Sequence, residues 1–144
     1  MNQDDLKAVV YYAGNDMFIG ISPSGHAQAM DVDPERASGA TPLELLLIAL
    51  GGCTAVDVIS IMKKKREQVT DYRVEVRGER RADHPRSFTR MEVRHIVRGR
   101  NISEKALSQA IELSETKYCS VAATLRPTVE ITSSYEIIEE KDEG

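Results

Sequence analysis

Two cysteines, Cys53 and Cys119, are the side chains of this chain best suited to chemistry. They form neither a C-x-x-C redox motif nor a zinc-finger spacing, and two thiols are too few for a cysteine-only zinc site or a disulfide-stapled scaffold. Cys53 follows Gly51-Gly52 inside an apolar run. A glycine in a helix interior costs about 0.5–1 kcal/mol relative to alanine, so two in succession call for a close backbone or for space beside the thiol. Taken alone, Cys53 is better explained as a small buried hydrophobe than as a reactive thiol. If the two thiols pair, Cys119, at the end of a predicted helix, is the less acidic, because a helix C-terminus disfavours a thiolate. Cys53 then becomes the nucleophile, provided an arginine or lysine from a strand or a partner subunit reaches it. Asp57 lies one turn on and on the same face; it opposes thiolate formation unless it is paired or holds that cation, and a polar contact with a partner subunit explains it equally well.

The histidines offer less. His95 falls on an apolar strand face and reads as a core residue, while His26 and His84 lie in or beside turns with no second ligand spaced to them. No metal and no phosphate-binding loop is expected.

The elements that must position the cysteines are legible from periodicity. Lys7–Tyr12, Met17–Ser22 and His26–Asp31 read as three strands joined by turns at Ala13-Gly14-Asn15-Asp16 and Pro23-Ser24-Gly25. Thr41-Pro42-Leu43-Glu44 opens a helix with a capping box, and Lys63-Lys64-Lys65-Arg66 closes it with cations where the macrodipole is negative. Between these ends the helix is apolar nearly all round. Asp71–Ala82 and Arg86–Gly99 alternate with period two around an Asp83-His84-Pro85 turn. Ser103 caps a second helix running to about Tyr118, and Thr128–Ile138 forms a last strand. The order βββ-α-ββ-α-β predicts an α+β fold of antiparallel sheets in a single domain, 1–144, with the acidic tail from about Glu139 frayed. A helix so apolar needs a second copy of the chain to cover it, which points to a homodimer with two such helices packed under both sheets.

Composition limits the remaining classes. Hydrophobic residues at 41% and charged residues at 29% exclude a disordered or collagen-like chain. The net charge of -4 hides a basic middle: residues 63–100 carry thirteen Lys/Arg against six Asp/Glu. The acids are interleaved with the bases (Arg73, Glu75, Arg77, Glu79), which suits a solvated strand face rather than a phosphate track, and aromatic stacking groups are sparse. No nucleic-acid partner is expected. The opening Met1-Asn2-Gln3-Asp4-Asp5 lacks the basic start of a secretory leader. Leu43–Met62 approaches membrane-spanning length but contains Glu44, Asp57, Ser60 and two glycines, so a protein-buried helix, no membrane, and a cytoplasmic location with reduced thiols are expected.

The stretch Thr41-Pro42-Leu43-Glu44-Leu45-Leu46-Leu47, Ala49-Leu50-Gly51-Gly52-Cys53, Asp57-Val58 and Lys63-Lys64 resembles the first-cysteine helix of the OsmC/Ohr family, most of all its YhfA-like branch. Cys119, followed by a strand with Val129-Glu130-Ile131, resembles the second-cysteine region, so the likeness spans nearly the whole chain. The resemblance implies an intertwined homodimer with sheets wrapped around two central helices and with both cysteines at the subunit interface. It also implies a thiol peroxidase acting on organic hydroperoxides. Cys53 would become a sulfenic acid, Cys119 would condense with it, and an external dithiol would reduce the disulfide without any cofactor. The hydroperoxide-resistance members activate the first cysteine with an arginine–glutamate pair, the glutamate directly following the proline; here that position is Leu43. Glu44 is explained by the capping box, and nine residues at about 100° each set it on the face opposite Cys53, about 13 Å along the axis. Arg36, in the preceding loop, is the nearest candidate for the arginine. The alternative is a non-catalytic or weakly catalytic protein on the same scaffold, binding a small apolar or thiol-reactive ligand at the dimer interface. It predicts cysteines too far apart to bridge.

Overall fold

The computed structural model describes residues 5–141. They fall into two compact units that divide inside the long helix, between Leu46 and Leu47. The acidic opening before Asp5 and the tail residues 142–144 lie outside the described residues.

In the first unit, β1 (Val9–Gly14), β2 (Met17–Ile21) and β3 (Ala27–Asp31) form the expected antiparallel meander, with Tyr11 opposite Ile19 and Phe18 opposite Met30. The loop after β3 is built around the buried Asp31. Its carboxylate accepts from Arg36 Nε at 2.7 Å and Nη2 at 2.8 Å, from Ser38 Oγ at 2.5 Å, and from the Asp33 and Ser38 amides. The Arg36 guanidinium, then the Ser38 hydroxyl, hold that carboxyl far below the usual range, so it stays charged while buried. Helix α1 (Pro42–Lys64) starts with the predicted reciprocal cap: Thr41 N–H donates to Glu44 Oε1 at 2.8 Å and Glu44 N–H to Thr41 Oγ1 at 3.2 Å.

In the second unit, β4 (Gln68–Arg80) and β5 (Phe88–Arg100) pair antiparallel, and β6 (Glu130–Glu139) lies on the other side of β5. One expectation fails here. β6 runs parallel to β5, pairing Met91 with Ile131 and His95 with Tyr135, so this sheet is mixed rather than antiparallel. The reason is the connection: the helical chain between Arg100 and Glu130 crosses over and returns the strand in the same direction, as a parallel pair requires. The start of the predicted frayed tail is also held, since Glu139 accepts from Asn101 N–H and Glu140 N–H donates to the Gly99 carbonyl.

β5, the middle strand, buries Met91, Val93, His95 and Val97. Val97 joins Val58, Met62, Ala106, Leu107, Ala110 and Ile111 in one hydrophobic core. α2 (Glu104–Leu113) is capped by Ser103, whose hydroxyl accepts from Ala106 N–H at 3.1 Å. From Leu47 onward α1 buries a stripe at helical spacing, Leu50, Thr54, Val58 and Met62. The opposite side is bare: Ile48 is 63% and Val56 66% exposed. By length and composition α1 could cross a membrane, but the buried stripe makes it a helix of the globular fold. The strand charges pair across and along the sheet, as in Arg90 with Glu92 and Arg94 with Glu136, which matches a solvated face.

Gly51 explains half of the double glycine: a Cβ there would stand 3.0 Å from Val76 Cγ2 on β4 and crowd that methyl group. The tightest approach is at Gly99, where a Cβ would meet the Gln68 carbonyl oxygen at 2.2 Å and the Ile102 side chain at 2.7 Å. Because the obstacle is backbone, Gly99→Ala is expected to lower the unfolding free energy by about 1–3 kcal/mol. Chemical denaturation with an unchanged slope is the measurement, and no shift in midpoint would contradict the close packing.

Candidate functional site

Cys53 and Asp57, four residues apart on α1, project from one face of the helix. Cys119 comes from the crossover. Where the sequence predicts one helix running to Tyr118, α2 stops at Leu113, a single π turn occupies Ser114–Tyr118, and a short helix α3 (Ser120–Leu125) follows. Cys119 is the residue between them. Its N–H donates to the Ser114 carbonyl at 2.8 Å, closing the wide turn. Five residues of α-helix would leave Cys119 about 140° around the axis from Ser114; a turn closed by an i→i+5 bond brings it back to the same side. Both residues are therefore buried together.

The result is a tight cluster. The Cys53 and Cys119 sulfurs and a carboxylate oxygen of Asp57 all lie within 4.8 Å of one another. Cys53 and Asp57 are half-buried and Cys119 is buried. The Ser114 hydroxyl is 2.9 Å from both Asp57 Oδ2 and Thr54 Oγ1. A carboxylate can only accept, so the Ser114 proton points to Asp57 and fixes its orientation. Thr54 sits in the buried stripe of α1, one position past Cys53.

The thiols are not equivalent. Burial pushes the Cys119 thiol up to about 11, and its neighbours Cys53 and Asp57 add to the effect. The Ala122 N–H, which donates to Cys119 Sγ at 3.3 Å, works in the opposite direction. Cys119 is thus a weakly acidic thiol for a reason other than the one expected. It caps the start of α3 rather than facing the end of a helix, and desolvation next to two acidic groups outweighs the cap.

The other predicted residues are held elsewhere. Arg36 makes its ion pair with Asp31, contacts Asp33 and donates to the Asn15 carbonyl, all within the first unit. Glu44 serves the capping box, and the Thr41 amide and hydroxyl lower its carboxyl. His95 is a fully buried core residue, as expected. Its Nδ1 is hydrogen-bonded to the Tyr72 hydroxyl at 2.7 Å, and burial lowers the imidazole to about 4, so it is neutral at physiological pH. The sequence reading missed Thr54, Ser114 and Glu115. Thr54 was visible as a lone hydroxyl in an otherwise apolar stripe. Ser114 falls inside the predicted second helix, but the π turn that turns it inward has no sequence mark. Glu115 lines a narrow cavity with Cys119 and bonds the Ser133 hydroxyl, and burial raises its carboxyl.

An α+β fold that brings together one thiol from a long helix and one from a crossover turn defines a paired-cysteine protein. A family model described as OsmC-like protein matches residues 35–134, and over 133 residues the chain is 41% identical to protein YhfA of Escherichia coli strain K12, covering 92% of this chain and 98% of that one. The chain belongs to the OsmC family. A hypothetical protein from Aquifex aeolicus VF5 superposes with a TM-score of 0.84 at 32% identity, covering 95% of this chain and 98% of that one. The organic hydroperoxide resistance protein OhrB of Bacillus subtilis shares the fold, with a TM-score of 0.62 at 15% identity over 92% and 98% of the two chains.

In a Cys53→Ser variant, alkylation of Cys119 is expected to be slow at neutral pH and still accelerating above pH 9, beyond the ordinary thiol range of about 8.5. A rate that levels off below pH 9 would contradict the desolvation account; denaturant should restore ordinary behaviour.

Proposed function

We propose that this protein is a thiol-dependent peroxidase that reduces organic hydroperoxides by a two-cysteine cycle. The observation that carries this reading is the convergence of the Cys53 and Cys119 sulfurs within 4.8 Å, from positions remote in the chain. The half-buried Cys53 is the accessible thiol and attacks the terminal peroxide oxygen; the O–O bond breaks, Cys53 becomes a sulfenic acid, and the alkoxide leaves as an alcohol after taking a proton. The buried Cys119 attacks the Cys53 sulfur, its proton leaves with the hydroxyl as water, and a disulfide forms. An external dithiol returns both thiols by exchange, so the cycle itself uses no organic cofactor. Family membership and the fold shared with OhrB support the reading. A scaffold that only binds a ligand predicts cysteines too far apart to bridge, and the approach of the sulfurs favours the reactive reading. The reducing cytoplasm is the compartment in which such a dithiol is supplied.

Cys53→Ser is expected to abolish consumption of an alkyl hydroperoxide with dithiol supplied, a loss of at least about 10³-fold in line with removal of a covalent nucleophile. Cys119→Ser should still take up one equivalent of peroxide and then accumulate sulfenic or sulfinic Cys53, seen by mass spectrometry. Unchanged turnover in Cys53→Ser would remove the enzyme reading.

The same proposal includes a homodimer. The bare face of α1 borders a groove of about 390 Å³ lined by Leu47, Ile48, Gly51, Gly52, Ala55, Val74 and Val76. A Cβ at Gly52 would meet nothing within 4 Å in its own chain, so that glycine has no reason inside the protomer. Packing of a second copy on this face supplies one. Gly52→Leu is expected to shift the mass in light scattering or sedimentation from dimer toward monomer. A wild-type chain that sediments as a monomer at high micromolar concentration would refute the dimer.

A further inference from the structure

We propose that the reduced protein binds one zinc ion through Cys53, Asp57 and Cys119, with the fourth tetrahedral position open. The geometry fits. Zinc with Zn–S bonds of about 2.3 Å and a Zn–O bond of about 2.0 Å sets its ligands about 3.5–3.8 Å apart. The three donor atoms already lie within 4.8 Å of one another, so side-chain rotation of about 1 Å completes the set. The donors come from two rigid elements: an i, i+4 pair on α1, which shares one helix face, and a residue locked between the π turn and α3. The outer support that ligand carboxylates require is also in place. Ser114, buried and bonded to Thr54, donates to Asp57 Oδ2 and so holds the carboxylate in place, with lone pairs left to ligate.

Charge argues in the same direction. Cys53, Asp57 and Cys119 bring three acidic groups within 4.8 Å of one another, and Cys119 Sγ accepts one amide hydrogen bond, from Ala122. Three groups that would each be negative when ionised face one another, and a divalent cation reverses their mutual repulsion. Two sulfurs and one oxygen suit zinc or cobalt and not magnesium or calcium. A thiol ligates zinc as its thiolate, so the ion competes with protons for the sulfurs. With both sulfurs bound to the ion neither is free to attack a peroxide, and two-electron oxidation of the pair to a disulfide by a hydroperoxide removes both sulfur ligands and releases the ion. The site requires reduced thiols and not peroxide turnover, so it goes beyond the proposed activity.

The test is anaerobic titration of the reduced full-length protein with Co²⁺. Saturation is expected at one ion per chain, with thiolate-to-cobalt charge-transfer bands and the visible bands of a tetrahedral site, both bleached by Zn²⁺. Cys53→Ser and Cys119→Ser should each remove about half of the charge-transfer intensity, one of the two thiolate ligands. Asp57→Asn and Ser114→Ala should each weaken zinc about 10–100-fold against a chromogenic chelator, the loss typical of supporting and carboxylate contacts. Asp57→Asn keeps the shape of the side chain and so reads the site even if a cysteine variant misfolds. No thiolate bands, bands unchanged in a folded cysteine variant, or zinc affinity unchanged in Asp57→Asn would overturn the proposal. Since the readout is spectroscopic, a protein that binds the ion and reduces no peroxide loses the enzyme reading alone, and the converse result loses the metal site alone.

Discussion

The single hydrogen bond from the Cys119 amide to the Ser114 carbonyl is what the rest of the site depends on. It closes a turn one residue wider than α-helix and thereby changes the phase of everything after it. Without that extra residue, Ser114 and Cys119 would point to different sides of the helix. The Asp57 carboxylate would lose its hydroxyl partner, and Cys53 would have no second sulfur near it. π turns of this kind cost hydrogen-bond geometry, and they occur where a side chain must be aimed.

The same arrangement sets the electrostatic character of the cluster. Burial and two acidic neighbours act together on Cys119, and the amide of Ala122 is a weak counterweight. Compensation by a cation is the expected remedy for a reactive cysteine, but Arg36 is engaged by Asp31 inside the first unit. The protein has instead placed its strongest described ion pair around a loop carboxylate, where it organises the chain between β3 and α1.

Much of this was legible in the residues, and what was not has a physical reason. Thr41 and Glu44 announce the start of α1 because a capping box is local chemistry, and Ser103 does the same for α2. The alternation of Met91, Val93, His95 and Val97 reports a strand buried on one face whatever its neighbours do. The direction of β6 was not legible, because alternation is identical in parallel and antiparallel strands and only the path of the crossover decides between them. The π turn was equally hidden: Leu113 and Ser114 both fit the helical spacing roughly, and a slip of one residue leaves no compositional trace. The cysteines were identified by type, yet their approach to Asp57 depends on that slip, so a three-residue cluster was invisible to spacing rules that look for neighbours in sequence.

The parallel pairing of β5 and β6 also bears on how the chain assembles as it leaves the ribosome. The β4–β5 hairpin can zip from adjacent residues as soon as it emerges, but the far edge of β5 stays unpaired until thirty more residues have been added and the last strand swings back. An open edge on the strand that will become the centre of the sheet is a template for pairing with another nascent chain. Between translation of Arg100 and Glu139 that edge stands open, and a chaperone bound to it would keep it from pairing with another chain.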